Sequence, residues 1–307
     1  MSVLAAIGKT RLLQLRHIVP EGSADLFLKL EYENPTFSMK DRMALAMIEA
    51  AEADRRLRPG GSVVEYTGGS TGVSLAFVCA AKHYPIHIVT SEAASREKRD
   101  HMAALGARLT VLQAPGGETT RELVLEMIET ARSLAAVPGA FWTDQLNNAD
   151  VLPAYERMGA EILKQVNGTI DAFVQSVGTS GSLRGISTTL RRESNATRII
   201  AVEPEESAVL SGRKPGSHMI EGTGAGFVVP LWQEGLVDEI QTVSSHEAME
   251  TARRLALEEG VFAGTSTGGN VAVALRLAEQ LGPGKNVVTI AVDSGMKYLS
   301  TPLYGEG

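Results

Sequence analysis

The sequence has a single cysteine, Cys79, among its 307 residues. It therefore cannot form an internal disulfide, and chains of this kind are typical of the reducing cytosol. Cys79 lies in the apolar run SLAFVCAAK, which favours an inert thiol in the core over a reactive one. We expect a cytoplasmic protein that owes neither its stability nor its chemistry to cysteine.

Long apolar runs and an excess of positive charge are also absent. No run reaches the roughly 18 apolar residues that a membrane-spanning helix needs. The start, MSVLAAIGKTRLLQLRH, lacks the layout of a secretory signal peptide, so we expect none. The formal net charge of −7 argues against nucleic acid or an anionic membrane as the main partner.

Recognisable metal and P-loop motifs are missing as well. Of the six histidines only His83 and His87 lie close together, and no metal-ligand spacing surrounds them. The segment IGKT (7–10) ends like a P-loop, but Val3 stands where that motif needs glycine. We therefore expect no bound metal and no P-loop nucleotide site.

The sequence does contain a regular alternation of strand-like and helical segments. Short β-branched runs such as IHIVT (86–90) and NVVTIAVD (286–293) are separated by amphipathic stretches such as MALAMIEAAEA. This alternation predicts an α/β fold with mostly parallel sheets covered by helices. It occurs in two blocks, at about 36–145 and 171–307, so we expect two domains.

Four segments rich in glycine, serine and threonine lie where a predicted strand leads into a helix. They are YTGGSTGVSLA (66–76), VGTSGSLRGIS (177–187), FAGTSTGGNVAVAL (262–275) and VDSGMKYLST (292–301). Glycine is the default turn residue, so any one of them could be purely structural. Ligands bind at the carboxyl ends of strands in open α/β sheets, and four such turns together predict a shared binding crevice.

The segment VGTSGSLRG has the composition of a phosphate site. It contains two glycines that let the backbone approach a ligand and three hydroxyl side chains, namely Gly178, Gly181, Thr179, Ser180 and Ser182. The helix that follows points its free N–H groups at an anion. Arg184 is the one cationic residue in the segment, so a small monophosphate fits better than a polyphosphate.

Lys40 opens the helical stretch KDRMALAMIEAAEA. The N-terminus of a helix carries partial positive charge, so a lysine there needs another reason. A lysine that forms an imine with an aldehyde cofactor, whose phosphate lies at a neutral helix N-terminus, is the arrangement of pyridoxal-phosphate enzymes. Lys40 and the segment 178–182 together predict such an enzyme.

A serine hydrolase is the competing hypothesis, because G-x-S-x-G occurs around Ser70 and around Ser266. No histidine follows Ser266, so the required order of the triad fails there. Ser70 has acidic and basic candidates further along the chain, namely Asp144 or Asp171 with His218 or His246. A hydrolase that uses Ser70 therefore stays open.

Six segments, in order along nearly the whole chain, resemble the cysteine synthase family. They are LEYENPTFSMKDRMALAMI, EYTGGSTGVSLA, GTSGS, VEPEESAVLSG, IEGTGAGFVVP and DSGMKYLST. These are the fold type II pyridoxal-phosphate enzymes, which include O-acetylserine sulfhydrylase and cystathionine β-synthase. The resemblance implies a two-domain, tryptophan synthase β-like fold. It consists of a small mobile domain (36–147) with a substrate loop and a large domain (1–35 and 148–307) with the phosphate loop.

The resemblance also implies residue roles. Lys40 would hold pyridoxal phosphate and exchange the proton at the substrate α-carbon. The cofactor phosphate would bind Gly178, Thr179, Ser180, Gly181 and Ser182. The substrate carboxylate would bind Thr67, Gly68, Gly69, Ser70 and Thr71, with Gln145 assisting and Gly222 lining the site.

Two positions depart from the family pattern. Ser70 replaces an asparagine that contacts the cofactor 3′-hydroxyl, so the shorter side chain would need a water or a shifted loop. The partner of the pyridine nitrogen is either Ser294 or Asp293, and we prefer Ser294. A hydroxyl would leave that nitrogen largely unprotonated, whereas a carboxylate would keep it protonated.

The implied activity is that of a transferase in cysteine biosynthesis. O-acetylserine or O-phosphoserine would lose its β substituent to give an aminoacrylate, and sulfide or another thiol would add to give L-cysteine or a relative. The segments TGGSTG and GTSTGG favour sulfhydrylases over dehydratases. Cystathionine β-synthase, serine or threonine dehydratase and cysteine desulfhydrase activities stay open, as does a sulfur-carrier protein as partner. We also expect a homodimer.

Overall fold

The computed structural model describes residues 2–117 and 119–305. Ten strands in these residues form two sheets. The larger sheet contains, in spatial order, β1 (Leu12–Leu15), β2 (Asp25–Leu30), β10 (Asn286–Ala291), β7 (Ala172–Ser176), β8 (Arg198–Pro204) and β9 (Glu239–Val243). The smaller sheet contains β5 (Arg108–Leu112), β4 (Ile86–Ser91), β3 (Ser62–Tyr66) and β6 (Ala140–Trp142).

Neighbouring strands are parallel throughout both sheets, except that β1 pairs antiparallel with β2. Central strands such as β7 are buried along their whole length. Parallel strands covered on both faces are expected to be continuously apolar and β-branched, which is how they appear in the sequence. The predicted α/β fold with two mostly parallel sheets is confirmed.

Eight α-helices in the described residues cover these sheets. They are α1 (Lys40–Ala53), α2 (Ser70–Lys82), α3 (Arg96–Ala104), α4 (Arg121–Ala135), α5 (Leu152–Gln165), α6 (Gly181–Glu193), α7 (Ser245–Glu259) and α8 (Thr265–Leu281). A short 3₁₀ helix, Gly295–Tyr298, follows β10. Within the described ranges no helix is long and apolar enough to cross a membrane.

The smaller sheet draws its strands from residues 62–142, and the larger sheet takes its strands from both sides of that range. This division agrees in outline with the domains expected from the sequence, although the boundaries at 36 and 147 stay predictions. One apolar core runs from the smaller sheet through α1 and α5 to the larger sheet and includes Met43, Met47 and Tyr155.

A buried ion network fixes the start of α1 to the larger sheet. The Arg42 guanidinium donates to Glu31 at 2.7 Å and to Glu161 at 2.7 Å, and Lys29 pairs with Glu161 at 2.9 Å. The side chains of Arg42 and Glu31 are almost entirely buried. Moving Arg42 away from its partners would leave charges buried and unpaired, which is costly. The network therefore holds Arg42, and with it the first turn of the helix that begins at Lys40, in place.

Candidate functional site

One cavity lies between the two sheets. The carboxyl ends of strands from both sheets point toward it. Its wall includes residues from all four glycine-rich turns, as these turns predicted, together with residues from other parts of the chain. The predicted site residues on this wall are Lys40, Thr67, Gly68, Gly69, Ser70, Thr71, Gln145, Gly178, Thr179, Ser182, Gly222 and Asp293. Ser180, Gly181 and Ser294 are not on the wall.

Lys40 is the first residue of α1, and its position is set by the turn before it. Asp41 accepts hydrogen bonds from the backbone N–H of Thr36, at 2.8 Å, and from the Thr36 hydroxyl, which folds residues 36–41 tightly. The Lys40 side chain enters the cavity. Burial lowers the pKa of its ammonium to about 8, and the nearby Asp293 carboxylate opposes that shift.

The Lys40 amine has no hydrogen-bond or ion-pair partner among the residues that the structure describes. An amine with a pKa near 8 is partly neutral near pH 7. A neutral lysine amine is a nucleophile that attacks an aldehyde, so Lys40 is suited to covalent attachment of a carbonyl compound.

The turn between β7 and α6 forms the opposite wall. Ser180 adopts the left-handed conformation (φ 67°) and caps α6, whose first turn therefore presents free N–H groups to the cavity. A Cβ at Gly178 would lie 2.2 Å from the carbonyl oxygen of Gly222, so the backbone approach requires glycine there. This turn is a neutral cradle for an anion.

Gln175, which the sequence did not single out, supports this cradle from the buried strand β7. Its side-chain amide donates to the Ser182 hydroxyl at 2.6 Å. The Ser182 hydroxyl oxygen therefore accepts this hydrogen bond, and the hydroxyl hydrogen is left to donate to another acceptor. Ser182 lines the cavity, so it is positioned to donate to an anion bound there.

A second anion cradle lies between β3 and α2 and comprises residues 67–71, here called the carboxylate loop. Gly69 has φ 151° and ψ −85°, a backbone conformation that residues other than glycine rarely adopt. Thr71 donates to the Gln145 side chain at 2.9 Å, and that side chain donates to the Tyr66 carbonyl at 2.8 Å. Gln145 thus braces the loop.

Glu65, which sequence reasoning missed, holds Gln145 in turn. Its carboxylate accepts from the Thr143 hydroxyl, from the backbone of Gln145 at 3.0 Å and from the backbone of Tyr66 at 2.9 Å. Burial raises the pKa of Glu65 to about 7. The signal in the sequence that could have identified Glu65 is a charged residue inside the apolar strand SVVEY.

The two candidates for the ring-nitrogen partner face different ways. Asp293 lies on the cavity wall, where it accepts from the Ser70 hydroxyl at 2.8 Å and from the Tyr298 hydroxyl at 3.0 Å. The Ser294 hydroxyl instead accepts from the backbone of Met296 at 3.2 Å and caps the short helix 295–298. Of the two, Asp293 is therefore the one that faces the cavity.

Three further charged groups near the cavity were also missed. Lys98 on α3 pairs with Glu221 at 2.5 Å, and both line the cavity. Lys297 is buried, which lowers the pKa of its ammonium to about 8, and it donates to Ser70 at 3.4 Å. Lys98 gave no sequence signal because REKRDHMAA has the composition of an exposed helix.

The hydrolase hypothesis requires a histidine next to Ser70. Within the described part of the chain, Ser70 contacts Asp293 and Lys297 but no histidine. His218 accepts at Nδ1 from the backbone of Ile220 and contacts the Gly224 carbonyl with its other ring nitrogen, and His246 is largely exposed. The serine–acid–histidine triad that this alternative requires is therefore not formed around Ser70 in the described residues, so the geometry argues against it.

Comparison with known proteins shows similarity to one enzyme family over nearly the whole chain. A family model described as "Pyridoxal-phosphate dependent enzyme" matches residues 3–293. A cysteine synthase of Staphylococcus aureus is 43% identical over 305 residues, which cover 99% of this chain and 96% of that protein.

Two solved structures have the same fold over nearly their whole length. A cysteine synthase from Entamoeba histolytica has a TM-score of 0.91 at 34% identity and covers 99% of this chain and 91% of its own. An O-ureido-L-serine synthase has a TM-score of 0.92 at 35% identity and covers 100% of this chain and 96% of its own.

The pKa of Lys40 leads to a test. In cofactor-free protein, the rate at which Lys40 reacts with added pyridoxal phosphate should rise with pH and level off above about pH 8, because only the neutral amine attacks. Visible absorbance after mixing measures this rate, and Lys40→Ala is the control without the reaction. A rate that still rises at pH ~10, the range of an ordinary lysine, would contradict the assignment.

Proposed function

The chain belongs to the pyridoxal-phosphate dependent enzymes, and we propose that it catalyses β-replacement on an activated L-serine to form L-cysteine or a close relative. O-acetyl-L-serine or O-phospho-L-serine is the donor, and sulfide or another thiol is the acceptor. One observation carries the proposal: a single cavity places the Lys40 amine between a neutral phosphate cradle and a carboxylate loop. The similarity to cysteine synthases over nearly the whole chain supports the same reaction.

The residues present fit pyridoxal phosphate. The turn 178–182 offers backbone N–H groups and the Ser182 hydroxyl for its phosphate, and Gly178 leaves no room for a side chain. Lys40 provides the amine for covalent attachment, and Asp293 and Ser70 lie together on the same wall. When bound, the cofactor supplies an electron sink for negative charge at the amino-acid α-carbon.

Lys40 moves the proton. The Lys40 Nζ has no hydrogen-bond or ion-pair partner in the described residues, and burial lowers its pKa to about 8. A base with a pKa close to the working pH transfers protons efficiently, so Lys40 takes the proton from the α-carbon. Departure of the β substituent and addition of the thiol complete the replacement.

Residues 67–71 bind the substrate carboxylate. The N-terminus of α2 presents N–H groups to an anion, and Gln145 with Glu65 beneath it keeps the loop in place. We infer that residues 36–147 form a small domain that closes over the bound amino acid and excludes water from the reaction.

Asp293, rather than the Ser294 preferred from sequence, is our choice for the pyridine-nitrogen partner. Its carboxylate faces the cavity, whereas Ser294 is occupied as a helix cap. A carboxylate would keep the nitrogen protonated and strengthen the electron sink.

Assembly and location are part of the proposal. Phe37, Met296 and Leu299 expose large apolar side chains, and the Phe37 carbonyl accepts from the backbone of Ser294, two residues from Met296. An apolar surface of this kind is consistent with a homodimer. The single cysteine, Cys79, is buried, which is consistent with the cytoplasm.

The reaction is tested by identifying products. With sulfide as acceptor, O-acetyl-L-serine or O-phospho-L-serine should yield L-cysteine detected by mass spectrometry, and Lys40→Ala should yield none because it lacks the base. Cystathionine β-synthase, dehydratase and desulfhydrase activities are assayed in parallel with homocysteine, with serine or threonine alone, and with cysteine. Keto acid from serine or threonine without any cysteine would replace the proposal with a dehydratase.

The choice of Asp293 is tested by the absorbance of the bound cofactor. Asp293→Ala should shift the visible spectrum, because loss of the carboxylate changes protonation of the ring. Ser294→Ala should leave the spectrum unchanged and serves as the matched control at the next residue. A shift in Ser294→Ala with none in Asp293→Ala would reverse the assignment.

A further inference from the structure

We infer that Lys98 is a positioning residue that fixes the carboxylate loop (67–71) through a largely buried ion pair with Glu221. The inference rests on the proposed function, because it concerns how that loop recognises the substrate carboxylate. Lys98 belongs to α3, beside the smaller sheet, whereas Glu221 lies in the segment between β8 and β9 of the larger sheet. The pair therefore joins the two sides of the cavity.

The Lys98 side chain packs directly on the loop. A Cβ at Gly69 would lie 2.4 Å from Cδ of Lys98 and 3.2 Å from its Cε. The methylene chain thus occupies the space that a side chain at residue 69 would need. Gly69 itself has φ 151°, so the loop has an unusual backbone conformation at the point where Lys98 covers it.

The Lys98 ammonium is held at the far end of this chain. It donates to Glu221 Oε2 at 2.5 Å and lies 3.9 Å from the centre of the Tyr298 ring. The Lys98 side chain is only 2% exposed. The Glu221 side chain is 24% exposed, so solvent screens the ion pair from that side only, and the ion pair and the cation–π contact together give the buried Lys98 side chain one favoured position.

Both ends of the contact are anchored. The backbone N–H of Glu221 donates to the hydroxyl oxygen of Thr265, the first residue of α8, at 3.1 Å. On the other side the Ser95 hydroxyl, which caps α3, donates to the Lys297 carbonyl at 2.6 Å. Lys98 therefore connects two segments that are each held in place by hydrogen bonds.

The same cluster holds the neighbouring loop residue. Tyr298, under the Lys98 ammonium, donates to Asp293, and Asp293 accepts from the Ser70 hydroxyl. The loop is thus held at Gly69 by the Lys98 chain and at Ser70 by Asp293. Losing the ion pair would free the loop N–H groups from their alignment toward the substrate carboxylate, and misplacement of a binding group by about 1 Å can cost ~100-fold.

Four variants separate the charge from the packing. Lys98→Met keeps an unbranched side chain on Gly69 but loses the charge, and Lys98→Arg keeps the charge. Glu221→Gln removes the partner, and Lys98→Met/Glu221→Gln removes both charges. Arg96→Met is the matched control, because it removes a charge from the same helix at an exposed pair with Asp100.

The measurement is the Kd of the holoenzyme for L-alanine, which has a carboxylate but no leaving group, read from the visible absorbance of the cofactor. Kinetics with O-acetyl-L-serine and sulfide supply KM and kcat separately. Lys98→Met and Glu221→Gln should each raise Kd and KM by roughly 10- to 100-fold with kcat within about threefold. The double variant should be no worse than the poorer single variant, because the two changes remove one interaction.

Lys98→Arg should recover most of the affinity, and Arg96→Met should match the parent. The inference is overturned if Lys98→Met and Glu221→Gln leave Kd and KM at parental values, including the case in which they only lower the melting temperature. Should the parent fail to use O-acetyl-L-serine, the proposed reaction is wrong, yet the L-alanine titration still decides the role of Lys98.

Discussion

The site depends on keeping one lysine amine buried and unpaired. Burial lowers the pKa of Lys40 toward neutrality, while Asp293 is close enough to oppose the shift without an ion pair to Lys40. Other buried lysines in the described residues are neutralised in different ways, as Lys98 is by Glu221 and Lys29 by Glu161. A direct carboxylate partner would hold Lys40 as an ammonium and remove both its nucleophilicity and its capacity to take a proton.

The two anion cradles are built from helix N-termini. The turn 178–182 and the carboxylate loop 67–71 each offer backbone N–H groups and hydroxyls, with no cationic side chain among their residues. A helix N-terminus binds a phosphate or a carboxylate through its free N–H groups and its partial positive charge, so neither cradle needs a lysine or arginine of its own. Parallel strands make this arrangement available, because their carboxyl ends lead into helices on the same side of each sheet.

Much of the fold and of the site could be predicted from the sequence, because it depends on residues that are close together along the chain. Strand and helix alternation predicted the sheets, and the glycine-rich turns around Gly69 and Gly178 predicted the crevice. Two kinds of information were not local. Asp293 and Ser294 are adjacent, so only the backbone direction after β10 decides which one faces the cavity. Lys98 belongs to a polar helix, and its burial depends on segments more than 100 residues away, at Glu221 and Tyr298.

The central claim is that Lys40, among several buried lysines around one cavity, carries the cofactor. Reduction of the holoenzyme with borohydride, followed by peptide mapping, tests it most directly, because reduction makes the lysine–cofactor linkage permanent. The account predicts the label on Lys40 alone. A label on Lys98 or Lys297, two buried lysines near the cavity, would contradict the account of the site.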